Sequence, residues 1–436
     1  MLGLERKSAP IAAALLIAFV AVPRQLSPLS QFALAQEKET REVAALPPPP
    51  PAESQLLGVT SSKFDELRLQ ALSGRVEAQY LLGLAYDRGR LVARNLAEAV
   101  RWYRAAAEQG FASAQTALGY LYHHGLGVER NDVESVRWLR QAAERGDPAA
   151  QNNLGFMYAE GLGIARDDNA GLSWYRAAGE QGYAPALTNL GHMYEHGNGV
   201  SVDYSAALHW YRLAAEKGDA SGQNNLAHLY SEGHGIARDY GEAARWYRAA
   251  AEQDLPAAQF NLAYLYELGK GVSKDFVQAF TWYQKSAEQG FEMAQNNLGT
   301  CYFSGKGVER DDALAAKWYR AAADRGLAAG QANLAFLYLM GAGVTRSERE
   351  AEKWFLQSAE QGNVAAQANL GQLYRAGRGV GLDYVQSYMW YSLAAAAGNQ
   401  DSERSRKELQ QIMTPHQVEE AQRRITTWLT EHPTRH

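Results

Sequence analysis

The chain has one cysteine, Cys301, in 436 residues. An internal disulfide framework is therefore excluded, and so is a cysteine-based zinc site. No cysteine lies near the N-terminal apolar stretch, so no lipid anchor is expected there. An excess of one charge is missing too. The 43 Lys and Arg stand against 48 Asp and Glu, a net charge of −5. That balance removes the electrostatic case for nucleic acid as partner, or for polybasic contact with a membrane surface. Long apolar runs are scarce. The one near the start, residues 11–22, would reach about 18 Å as a helix, short of the roughly 30 Å of a bilayer core. Nor does a nucleophile–base pair or a phosphate loop stand out, so nothing argues for an enzyme with a bound cofactor or metal.

What the ends do contain reads as targeting and spacing. Glu5-Arg6-Lys7 precedes the apolar run, and Ala33-Leu34-Ala35 offers a small-x-small cleavage pattern. Residues 1–35 are expected to be a secretory signal peptide, with an uncleaved inner-membrane anchor as the alternative. The expected location is a bacterial periplasm or the exterior. Residues 36–63 lack hydrophobic periodicity and hold five consecutive prolines, 47–51. Such a run favours extended polyproline geometry, so the stretch reads as a disordered linker.

The rest is dominated by a thirty-six-residue period, seen cleanly in residues 146–181. Nine copies run without insertion over residues 74–397. Trp102 recurs at every thirty-sixth position to Trp390, and Tyr86 does so to Tyr374. Self-similarity at this spacing is the mark of a stacked-repeat solenoid. In the sample unit a first helix is expected over 149–160, with Ala150, Leu154, Met157 and Tyr158 on its buried face. Gly155 is small where a neighbouring helix must approach. Pro148, Pro185 and Pro256 fall at first-helix starts, where a missing N–H costs nothing. Gly161 and Gly163 make the turn. Asn95, Asn131, Asp167, Asp203, Asp239, Asp275, Asp311, Ser347 and Asp383 are expected N-caps of the second helices. Those helices stop at Gly182 and its equivalents; Asp254 replaces the glycine once, and a local irregularity is expected there. The tryptophans, with small residues one turn away, read as core knobs.

The run Ala294-Gln295 through Gly307-Val308, then Trp318-Tyr319 and Ala322-Ala323, resembles the Sel1-like repeat, a relative of the tetratricopeptide repeat. The resemblance implies an all-α fold, a right-handed α-solenoid superhelix of antiparallel helix pairs. It also implies a non-enzymatic adaptor or scaffold in cell-envelope signalling or assembly. The alternative it carries is an envelope enzyme or a polysaccharide- or peptidoglycan-handling factor, including a penicillin-binding branch whose disulfides this chain lacks. Residues 64–73 look like an N-terminal capping helix and 398–436 like closing helices, with Thr414 as an N-cap. Open stack ends would expose apolar surface.

In such a fold the first helices line the concave side. The candidate partner-binding residues are two columns on them. Asparagine recurs at Asn153, Asn189, Asn225, Asn261, Asn297, Asn333 and Asn369. It is a poor helix-interior residue, so its repetition needs a reason. Either the column bonds the backbone of an extended peptide, or it bonds within the stack. A mostly aromatic column lies three residues on: Tyr120, Phe156, His192, His228, Tyr264 and Phe336. The expected partner is a protein or extended peptide, with an envelope glycan as the alternative. His192, His196, His228 and Glu232 could face one groove as metal ligands, though a titrating partner contact fits imidazole better. Arg104, Arg140, Arg176, Arg212, Arg248 and Arg320 read as a solvated outer face paired with acids four residues on.

Overall fold

Each second helix starts where its capping residue dictates. In a computed structural model describing residues 61–432, all nine expected caps accept a backbone N–H from the first turn; Asp167, for example, accepts from Ala170 at 3.0 Å. Each such cap is worth about 1 kcal/mol. The sample first helix spans Pro148–Glu160 and the second Asp168–Glu180. Between them Gly161 and Gly163 take φ of 69° and 65°. The described residues form 21 helices and no strand. This is an all-α solenoid in which consecutive helix pairs pack together. The signal peptide and most of the linker lie outside the described residues. Among the described residues no helix is long and apolar enough to cross a membrane.

The described residues fall into two compact units, 61–258 with 270–272, and 259–269 with 273–432. In the first unit the helix Ser61–Leu72 packs Phe64 and Leu67 against Ala78, Leu82 and Trp102. In the second unit the last helices are Gln400–Ile412 and Pro415–Glu431. Thr414 and Gln417 form a capping box on the latter, and its Trp428 meets Trp390 edge-on at 6.4 Å.

The core differs from the expected one by a single residue. Trp102, Trp138, Trp354 and Trp390 are buried, but Trp174, Trp210, Trp246, Trp282 and Trp318 are half-exposed. The deepest knob is the next residue: Tyr103, Tyr211, Tyr247, Tyr283, Tyr319 and Phe355 are at most 1% exposed. Each buried ring contributes roughly 1.5–3 kcal/mol. Its hole is the small residue of the first helix. A Cβ on Gly191 would come to 2.5 Å of the Tyr211 ring, and one on Gly299 to 2.7 Å of Tyr319. The tryptophan one residue earlier points partly outward and carries a cation instead, as where Arg245 lies 4.4 Å from the Trp246 ring.

The second turn glycine joins one repeat to the one before. A Cβ on Gly163 would lie 2.2 Å from the Asp132 carbonyl oxygen, so the turn rests directly on the start of the preceding second helix. In the first repeat that place is Leu91, 43% exposed and held at φ 67°. Asp254 likewise adopts the left-handed φ of 63° that glycine takes elsewhere. The expected irregularity is confined to a helix one residue shorter, Tyr240–Ala251.

Candidate functional site

The two columns meet on the first helices, and in each unit they line a cavity. In the second unit Tyr264, Asn297, Asn333, Phe336 and Asn369 share one groove of about 440 Å³ with Asn296, Thr300, Ser304, Lys306 and Asn363. In the first unit Phe156, Asn189, His192 and Asn225 line a cavity of only about 50 Å³. The cause lies in the aromatic column. Tyr120, Phe156, His192 and His228 follow one another without a gap, whereas Thr300 interrupts the column between Tyr264 and Phe336. A threonine leaves the space a ring would fill.

The asparagines are held by one another. Asn333 Nδ2 donates to Asn296 Oδ1 at 2.8 Å, and Asn296 Nδ2 donates to Asn297 Oδ1 at 3.2 Å. The first unit repeats the chain: Asn189 donates to Asn152 at 2.9 Å, and Asn152 to Asn153 at 3.1 Å. Helix-interior amides that would otherwise compete with the backbone are thus satisfied across repeats. Asn153 and Asn261 are buried, so these two members present no open surface. Asn369 bonds its own helix at Ala365 O, 2.8 Å, which leaves its Oδ1 as an acceptor on the groove. Burial pushes the Cys301 thiol up to about 12, so this groove-lining cysteine is a neutral thiol at physiological pH.

A family model described as Sel1 repeat matches nine consecutive segments, from residues 76–111 through 364–399. The chain belongs to the Sel1 repeat family. Two solved relatives bracket the likeness. A protective antigen of uropathogenic Escherichia coli with an SLR fold is 32% identical, covering 93% of this chain and 95% of its own, at a TM-score of 0.49. A Sel1 repeat protein from Oxalobacter formigenes is 33% identical over 71% of this chain and 89% of its own, at 0.51. A search of curated proteins finds no match. Sel1 repeat solenoids generally serve as protein-interaction scaffolds.

Within this Sel1 repeat protein the candidate histidines stand in ring pairs. His192 and His196 stack on each other at 4.1 Å, and His228 lies edge-on to His234 at 6.4 Å. Among the described residues no group of three or more His, Cys, Asp or Glu is placed to hold a metal ion. Burial lowers the His228 pKa below its ordinary value, with Glu195 and Glu232 opposing that shift.

The arginine column is a correction. Arg104 donates to Tyr122 Oη at 2.7 Å, Arg140 to Tyr158 at 3.0 Å, Arg176 to Tyr194 at 3.1 Å and Arg212 to Tyr230 at 3.1 Å. Arg320 does the same to Tyr338. These cations clamp one repeat to the next through the recurring tyrosine, rather than pairing with acids on their own helix.

Sequence reasoning also missed a glutamine staple. Gln151 Nε2 donates back to Ala143 O of the preceding repeat at 3.2 Å, while its Oε1 accepts from Gln181 at 2.8 Å. The same pair recurs at Gln79 with Gln109, Gln223 with Gln253, and Gln331 with Gln361. Its signal was present as a second glutamine thirty residues on. Where arginine stands at that second place, at Arg145 and Arg325, the Oε1 atoms of Gln115 and Gln295 are buried without a partner.

Proposed function

We propose that this protein is an exported, non-enzymatic adaptor that holds an extended segment of a protein partner along its first helices. The groove of the second unit carries the proposal. Five asparagine side chains and five aromatic rings, Tyr264 and Phe336 of the recurring column among them, line about 440 Å³ of space. Side-chain amides match the alternating donors and acceptors of an extended backbone, and rings on a groove wall are anchors for apolar side chains. Amides beside aromatic rings also suit a sugar polymer, so an envelope glycan is the second reading.

Affinity capture with the full chain and with an Asn333→Ala, Asn369→Ala variant tests the site. The variant is expected to lose the captured protein while its melting temperature falls by only a few degrees, since each lost bond costs about 1 kcal/mol. Capture that survives the double substitution contradicts the groove. Retention of glycan, with protein no longer captured after glycan digestion, favours the second reading. Export rests on the signal-like N-terminus; sequencing the mature protein is expected to begin at Gln36, and a cytoplasmic, uncleaved chain refutes it.

A further inference from the structure

At Phe276, on the wall of the second unit's groove, two cations stand without an ion pair. Lys306 lines the groove beside Phe276, and its ammonium lies 5.4 Å from the centre of that ring. Lys274 approaches the same ring at 4.9 Å. Neither lysine has an ion pair among the described residues. The repeat itself supplies the reference. Seventy-two residues on, the same three places hold Arg346, Arg378 and Glu348, and both arginines bond that carboxylate, at 3.0 Å and 2.9 Å. One repeat on, Arg310 has Asp312. At residue 276 the acid has been replaced by a ring while both cations remain. In the first unit Arg238 and Lys270 flank Tyr240, but there each has an acceptor, Glu232 O at 3.0 Å and Tyr240 Oη at 3.3 Å. The groove's own acid, Glu267, is already held by the Tyr283 hydroxyl at 2.8 Å.

We infer that Lys274 and Lys306 receive a carboxylate from the held segment, so that the partner is an acidic peptide. The inference rests on the groove being a peptide site. Ammonium groups resting on a ring are attracted by it but not neutralised, so they remain available to an incoming anion. Both ammonium groups lie within 5.4 Å of the Phe276 ring centre, and the asparagines of the same groove hold the backbone.

The test uses the full chain and two fluorescent decapeptides, one alternating alanine with aspartate and one alternating alanine with asparagine, read by anisotropy. The aspartate peptide is expected to bind about tenfold more tightly at low salt, with the ratio shrinking at high salt as exposed pairs are screened. A Phe276→Glu variant supplies the missing acid from within. It is expected to bring the ratio close to one while keeping the melting temperature. Equal binding of both peptides to the unmodified chain overturns the carboxylate site and leaves the groove. Binding of neither overturns both. A preference that persists in Phe276→Glu places the acid contact elsewhere and overturns the assignment. An alginate oligomer that displaces the peptide and binds more tightly than it replaces the acidic peptide by an anionic glycan, and overturns the peptide identity.

Discussion

The two units carry the same columns and differ in what those columns enclose. In the first unit four successive repeats carry bulky residues in this column, Tyr120 to His228, and Phe156, Asn189, His192 and Asn225 border about 50 Å³. In the second unit Thr300 breaks the series and the groove measures about 440 Å³. The backbone is the same repeat in both. The space left open on the first helices therefore differs between the units with side-chain volume at one position of the period.

The sharpest way to break that comparison is to exchange the volumes. Thr300→Phe is expected to close the second unit's groove and reduce partner capture at least about tenfold, a difference any affinity assay reads. Thr300 also donates to Asn296 O at 3.1 Å, so some loss of stability should accompany it, and a melting curve separates the two effects. The next effect concerns the joint between repeats, common to both units. Gly307→Ala and Gly163→Ala should each destabilise by at least about 2 kcal/mol, because each places a Cβ 2.0 and 2.2 Å from a carbonyl oxygen at a positive φ. Urea unfolding of the two variants checks this, and loss at only one of them would show that the units are not built alike.

Smaller gains come from completing the staple. Arg145→Gln in the first unit and Arg325→Gln in the second should each stabilise by up to about 1 kcal/mol, by supplying the donor that Gln115 and Gln295 lack. Calorimetry on each variant measures the change; an unchanged midpoint would contradict the staple. The smallest effect belongs to the first unit. Burial holds the His228 pKa below the ordinary 6.5, so the unfolded chain takes its proton first. The stability this neutral imidazole maintains at pH 7.5 is lost as pH falls from 6.5 through the lowered value. His228→Phe should therefore lose less melting temperature than the unmodified chain between pH 7.5 and 5.0. An identical loss in both would contradict a titrating His228.

Much of the fold was legible because capping and turn chemistry are local. Asp167 needs only its own next turn to act as a cap, and Gly163 announces a positive φ by being glycine. The deepest residue was harder. Trp174 is the more conspicuous letter, but burial is decided by which side chain faces the Gly155 gap, and that is Tyr175. The Arg104–Tyr122 clamp and the Gln151–Gln181 staple link residues 18 and 30 apart in the chain. A period aligns columns without saying which columns touch. The site shows the same limit. The asparagine column was visible as a repetition, but the Asn333–Asn296–Asn297 chain and the opening at Thr300 depend on how neighbouring first helices abut.

The most direct test of the first-helix groove as the binding surface is photocrosslinking in the producing cell. Benzoylphenylalanine placed at Ser304, exposed on the groove of the second unit, is compared with the same group at Gln278, exposed on a second helix of that unit. A discrete protein adduct at Ser304 and none at Gln278 is the predicted result. Adducts at Gln278 with none at Ser304 would contradict it.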